Sequence, residues 1–201
     1  GTMMDFSNLD NVDLSGALTD QPVGQSLNST EIPINEMIES HQVWLKTSGD
    51  DGKRMDLSDH DMRGTTSLRG ANLTMLAAER TVGYGQDLSN MSLQAAILRQ
   101  SDFRNCSFLG SDLRGTNFDK CTMTGSKFTK ARMEPLLFEG GRKLKTSFTN
   151  ANLRYADFSY TSLKDADFSG ADLSFADFTG ADLTNTKFDG ATMNDTKINL
   201  S

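Results

Sequence analysis

The chain has little of what most enzymes use. Its 201 residues hold two histidines, His41 and His60, and two cysteines, Cys106 and Cys121. No carboxylate or cysteine stands near the histidines at metal-ligand spacing. Gly140 and Gly141 lack the strand-to-helix setting of a phosphate-binding loop. No catalytic residue, metal ligand or cofactor is therefore expected. Nothing resembles a signal peptide, and no apolar run approaches the ~20 residues of a membrane span. The two cysteines read as buried, reduced residues interchangeable with alanine or serine, which fits a reducing cytoplasm.

What is present is a beat of five. Stepping by five from Leu88 to Ile198 gives 23 sites, of which 22 are large and apolar; Lys143 is the exception. The core sites of this series include Phe118, Phe128, Phe138, Phe148, Leu153, Phe158, Leu163, Phe168, Leu173, Phe178, Leu183 and Phe188. Two residues before nearly every site stands a small residue, as at Ala151, Ala156, Thr161, Ala166, Ala171, Ala176 and Ala181. This spacing suits neither the 3.6 of an amphipathic helix nor the 2 of a strand. A short fixed period is the mark of a solenoid whose units bury their apolar side against their neighbours.

The segments ANLRY, ADFSY, ADFSG, ADLSF, ADFTG and ADLTN, between 151 and 185, resemble the A(D/N)LXX pattern of the pentapeptide-repeat proteins. The resemblance implies an all-β solenoid, a right-handed quadrilateral parallel β-helix with one pentapeptide on each face. The large residue and the small one two before it would both point inward. Phe recurring every ten residues would then lie on two opposite faces, with Leu or Met on the other two. The Asp before each large residue belongs to the repeat, so paired catalytic carboxylates are not implied.

Residues 1–29 read as a polar segment and linker. Residues 30–48 read as a helix with Thr30 as N-cap, Pro33 in the first turn and Gly49 and Gly52 beyond its end. Ile34, Met37, Ile38, His41, Trp44 and Leu45 share one face, suited to capping the open end of the first coil. The stretch around His41–Ser58 is similar to a lead-in found before bacterial repeat arrays. The coils span 55–201, with an extra residue ahead of Leu68 and loops expected at 76–85 and 139–145. The repeats run to Ile198 without a capping helix. Pairing with a second copy through that end and a longer native chain are equally expected.

Charge is uneven along the chain: −7 over 1–85, +4 over 86–146 and −4 over 147–201. Folding twenty-residue coils places Ala95, Gly115, Pro135, Tyr155, Phe175 and Asp195 in one outward stripe, with Tyr155 stacked on Phe175 and Tyr160 at the adjoining corner. Exposed aromatics of this kind either stiffen the solenoid face as a ladder or suit a protein partner. Arg132, Arg142, Lys143 and Lys145, with Lys127 and Lys130, form a basic patch that reads as a solvated face or else as a site for an anionic partner, an acidic protein or the polar end of a nucleic acid. Overall acidity and the absence of interleaved aromatics argue against a dedicated nucleic-acid binder. The leading expectation is a non-catalytic protein–protein scaffold or adaptor in the bacterial cytoplasm. The alternative comes from the resemblance. Some pentapeptide-repeat proteins mimic duplex DNA, bind DNA gyrase and protect it from quinolones, but the basic middle departs from the negative surface this needs.

Overall fold

A computed structural model describes residues 24–65 and 68–198. Along most of the rod parallel bridges join outward residues twenty positions apart, as along Asn72, Ser92 and Asp112, so four pentapeptides make one coil. Each repeat is one bridge residue followed by a tight turn. In one such corner Ala96 N–H donates to Leu93 O at 3.0 Å, and Ala95 between them has φ 55°. Corner residues with positive φ recur throughout, among them Asn105, Lys130, Asn150, Tyr155 and Phe175. A left-handed residue costs about 1–2 kcal/mol. Two ladders offset that cost. The corner N–H of Ala95 reaches Arg114 O at 3.0 Å, and Leu93 N–H reaches Asp112 O at 2.8 Å in the next coil.

The core is a pair of phenylalanine stacks. Phe108, Phe128, Phe158 and Phe178 lie nearly parallel at 5.1, 4.7 and 5.0 Å between ring centroids. Phe118, Phe148, Phe168 and Phe188 form the second stack at 4.8, 4.8 and 5.5 Å. Rings of the two stacks meet edge to face, for example Phe158 and Phe168 at 5.4 Å. Leu153, Leu163 and Leu173 fill the remaining faces and are fully buried. Burial falls off in the last coil, where Leu183, Phe188, Met193 and Ile198 are partly buried.

Phe138 departs from this plan, being 46% exposed. Asn117 bridges Ser147 and Arg132 bridges Ser162, so ten extra residues, 136–145, leave the coil between these partners. Ten residues are two beats, so the insert keeps the apparent period and imitates two repeats. The expected loop at 139–145 is thus part of a longer insert.

The expected loop at 76–85 is absent. That segment is regular coil, with Ala77 bridging Ile97 and Val82 bridging Asp102. The motif is masked because sizes are exchanged between the two inward positions. Leu76 and Met91 are large where small residues are usual, whereas Ala78 and Gly83 are small where large ones are. A Cβ on Gly83 would lie 2.7 Å from the Phe103 ring, so the phenylalanine of the next coil fills the space.

The helix α1 spans Ile34–Lys46 and packs Ile34, Met37 and Ile38 against the first coil. Pro33 takes the N-cap position, and the Thr30 hydroxyl instead donates to Leu27 O and Ile32 O, each at 2.9 Å. Trp44 stacks on His41 with centroids 5.7 Å apart, and Leu45 is half-buried. Part of the expected linker pairs with the coil: β1 (Gln25–Ser26) lies parallel to β2 (His60–Asp61), and Leu27 enters the core. The rest of that segment, 1–23, lies outside the described residues, as do 199–201.

His41 is fully buried between helix and coil. Its Nδ1 accepts Met55 N–H at 3.0 Å, which leaves Nε2–H to donate to Thr74 O at 3.0 Å. The bond accepted by Nδ1 needs the neutral ring, whereas Nε2–H can donate in either state. Desolvation lowers its pKa below the usual 6.5, against the bond to Thr74. A depressed histidine pKa means stability is full above 6.5 and declines as pH falls toward the folded value. Thermal melts should therefore show a lower melting temperature at pH 5 than at pH 7.5. The slope should flatten in His41→Gln, whose overall stability is lower. An unchanged slope would mean that His41 is not the group responsible.

Candidate protein-interaction surfaces

Two surfaces break the regular rod. The first is the insert, a hairpin in which β3 (Leu136–Leu137) pairs antiparallel with β4 (Lys143–Leu144). A turn at Glu139–Gly141 closes it, with Phe138 N–H donating to Arg142 O at 2.9 Å. Strand alternation sorts its side chains. Leu136 and Leu144 face the coil and lie over Gly115, whose added Cβ would meet them at 3.1 and 2.9 Å. Leu137 projects away and is 74% exposed, the largest exposure among the large apolar side chains described. The Arg142 guanidinium lies 5.7 Å from the Phe138 ring centroid.

The neck of the hairpin is fixed by Thr146. Its buried hydroxyl bonds Met133 O and Leu113 O, each at 3.0 Å, and receives Gly115 N–H at 3.1 Å. Lys143 and Lys145 reach the mostly buried carboxylate of Asp165 at 3.4 and 4.0 Å. These lysines therefore hold the hairpin to the next coil. Arg132, at the base, is paired with Glu134 at 2.6 Å and with Asp112 at 3.8 Å. Arg142, Lys143 and Lys145 thus share one element, while Arg132 belongs to the neighbouring face.

The second surface is an aromatic corner. Tyr155 and Phe175 stack at 4.8 Å with their planes 7° apart, as the spacing predicts. Their column differs from the expected stripe. Gly85 N–H reaches Arg104 O, Asn105 N–H reaches Thr124 O, and Gly125 N–H reaches Arg154 O. The stripe is therefore Gly85, Asn105, Gly125, Tyr155, Phe175 and Asp195. Gly115 and Pro135 stand at the hairpin corner instead, because the insert shifts every later residue by half a coil. Tyr160 occupies a different corner and is exposed.

Arg154, which the sequence pattern did not single out, lies against both rings, its Cζ 5.6 Å from the Tyr155 centroid and 5.3 Å from Phe175. It also contacts Asp172 at 3.4 Å, and this pairing raises its pKa. A second Arg–Tyr pair stands above Gly125: Arg104 is 5.8 Å from the Tyr84 centroid, and Asn105 Nδ2 donates to Tyr84 Oη at 3.2 Å. Only the fold relates these residues. Tyr84 and Tyr155 are 71 positions apart.

The outward Asp residues have a local task. Asp157, Asp167, Asp172, Asp177 and Asp182 each accept the N–H two residues on, at 2.8–3.0 Å. Such bonds stabilise the turn that follows. Cys106 and Cys121 are buried and unpaired, and their thiols donate to Gly83 O and Leu98 O. Burial pushes each thiol up to about 12. Among the described residues no group of three His, Cys, Asp or Glu could hold a metal ion, and no helix is long and apolar enough to cross a membrane.

The pentapeptide repeat region model matches residues 121–198, and the model for eight pentapeptide repeats matches 87–125 and 96–134. The chain belongs to the pentapeptide-repeat family. Its coil is the right-handed β-helix that these proteins form. No curated protein matches this pentapeptide-repeat protein. Among solved structures it is similar to HetL, a pentapeptide repeat protein involved in heterocyst differentiation regulation in Nostoc sp. strain PCC 7120. Identity is 26%, over 73% of this chain and 71% of that one, with a TM-score of 0.45. QnrB1, a plasmid-mediated fluoroquinolone resistance protein, is 19% identical over 71% and 86%, with a TM-score of 0.44. A pentapeptide repeat protein of the Arabidopsis thaliana thylakoid lumen is 24% identical over 64% and 68%, with a TM-score of 0.32.

Proposed function

We propose that the protein is a non-catalytic interaction scaffold: a four-sided rod, covered at its first coil by α1, that presents the hairpin at 136–145 to a protein partner. The carrying observation is the hairpin's redundancy for the rod. The coil joins Met133 to Thr146 through its own hydrogen bond and pairs across the insert without a break. The insert nevertheless displays Leu137 and Phe138 to solvent and is held in place by Lys143, Lys145 and Asp165. Exposed apolar side chains on an anchored loop are the usual equipment of a docking site. Arg142 over Phe138 supplies the aromatic and arginine pair that dominates many interfaces.

The test is affinity capture from the source cell with the wild type and with Leu137→Asp/Phe138→Asp. One specific protein should be enriched and then lost with the double variant. Identical captures would remove the hairpin from the reading. The DNA-mimic alternative has weaker support. The acidic outward positions concentrate after residue 147, while Lys120, Lys127 and Lys130 have no ion pair among the described residues. Inhibition or protection of gyrase supercoiling at micromolar protein would restore it.

A further inference from the structure

The aromatic corner stops one rung short. Tyr155 has Phe175 stacked on one face, and the position one coil above its other face is Gly125. Ring-bearing corners in this column repeat at 4.8 Å, the rise of a parallel β-structure. A ring at 125 would therefore continue the stack, and glycine leaves the rung open. A Cβ added at Gly125 meets nothing within 4 Å except the side chain of Asn105, at 2.5 Å from Oδ1. That is the movable end of a side chain rather than backbone. Tyr155 itself is 55% exposed.

The surroundings state what would fit. Residues 120–133 contain Lys120, Lys127, Lys130 and Arg132 and no Asp or Glu. Lys120, Lys127 and Lys130 are exposed, and Lys120 and Lys130 stand at the corners on either side of Gly125. Above and below the open rung, Arg104 and Arg154 lie against Tyr84 and Tyr155. Both guanidiniums are already tied to carboxylates, Arg104 to Asp102 at 2.6 Å and Arg154 to Asp172 at 3.4 Å. They therefore brace the rings, and Lys120, Lys127 and Lys130 are the cations here that have no ion pair among the described residues. We propose that the open rung over Gly125 seats an aromatic side chain of a partner protein, carried in an acidic segment whose carboxylates face Lys120, Lys127 and Lys130. The ring stacks on Tyr155, and the lysines favour negative flanks. Single-stranded nucleic acid is the poorer fit. Its successive bases need successive platforms, whereas the rung over Gly125 offers the face of Tyr155 alone.

This seat lies at a different corner from the hairpin and does not depend on it. The test follows backbone amide signals by NMR while adding a blocked Glu-Asp-Tyr-Asp-Glu peptide. The Gly125 and Tyr155 signals should shift and saturate. A peptide with Ala at its centre should bind at least tenfold more weakly, and raising salt should weaken both. Gly125→Tyr fills the rung from within and should abolish the shifts. Tyr155, Tyr160 and Phe175 already occupy such corners at φ 56–64°, so a ring is compatible with this backbone. Tyr155→Leu, which removes the platform without filling the rung, should also abolish them. Leu137→Asp/Phe138→Asp should leave the titration unchanged, which separates this seat from the hairpin reading. The proposal is overturned if Gly125→Tyr binds as wild type does, or if the Ala peptide binds equally. It is also overturned if no shift occurs at millimolar peptide, or if oligo(dT) shifts these signals and the peptide does not.

Discussion

Phe158→Ala is expected to destabilise the rod by about 3–5 kcal/mol, the range for buried phenylalanine truncations. The ring is fully buried and touches four others. Phe128 and Phe178 stack on its faces at 4.7 and 5.0 Å, and Phe148 and Phe168 meet it edge-on at 5.7 and 5.4 Å. Neighbouring coils are held apart at their backbone spacing by the hydrogen-bond ladders, so they cannot collapse into the space left behind. Phe168→Ala should behave alike, since it lies between Phe148 and Phe188 in the other stack. Asp172→Asn is the control. Asn152 holds the same place one coil earlier and already accepts Arg154 N–H at 3.3 Å, so asparagine preserves the turn. Its cost should stay within the ~1 kcal/mol of an exposed ion pair. Urea denaturation of the three variants checks this, and equal midpoints would refute the inward and outward assignment.

Ala171→Asp should be of similar size for a different reason. Ala171 is fully buried, and its neighbour Asp172 is solvated. Moving a carboxylate one position along the chain turns it from the outward side of the coil to the interior. A buried charge without a partner costs about 3–5 kcal/mol. Ala171 belongs to the apolar core, with Ala151 and Ala191 at the same place in the adjoining coils, and none of these side chains supplies a donor. The reciprocal change, Asp172→Ala, should cost about 1 kcal/mol, the net worth of the hydrogen bonds it removes from Ser174. Circular dichroism melts of the two single variants give the comparison. Similar melting temperatures would mean that the side chain at 171 escapes to solvent, against the geometry described.

The same pH logic applies to the outward aspartates. Partial burial acts to raise Asp172, but bonds from Ser174 and contact with Arg154 bring its carboxyl below the usual range. A depressed carboxyl contributes stability above its unfolded value and loses it as pH falls through the folded one. Its effect therefore appears below pH 4, well separated from that of His41.

Local chemistry determined the coil. A large residue every five positions, a small one two before it and an Asp or Asn beside it can bury their apolar atoms only by stacking coil on coil. That phenylalanines would stack follows from the period, but which rings stack does not: the insert places Phe128 on Phe158 and Phe118 on Phe148, thirty residues apart. The pairing of Tyr155 with Phe175 was legible because both lie after the insert and one coil apart. Periodicity could not place Phe138. A ten-residue insert preserves a five-residue beat, so the pattern continued through a segment that leaves the coil. Tertiary structure settled that point through long-range pairing, Asn117 with Ser147 and Met133 with Thr146. With it went the membership of each corner column, which is how Gly125, rather than Pro135, came to stand above Tyr155. Size exchange hid the coil at 76–85 in the same way, since Gly83 is intelligible only once the Phe103 ring is seen in its space. A repeat dictates what each unit buries; which unit lies over which depends on contacts twenty or thirty residues apart, and those belong to the folded chain.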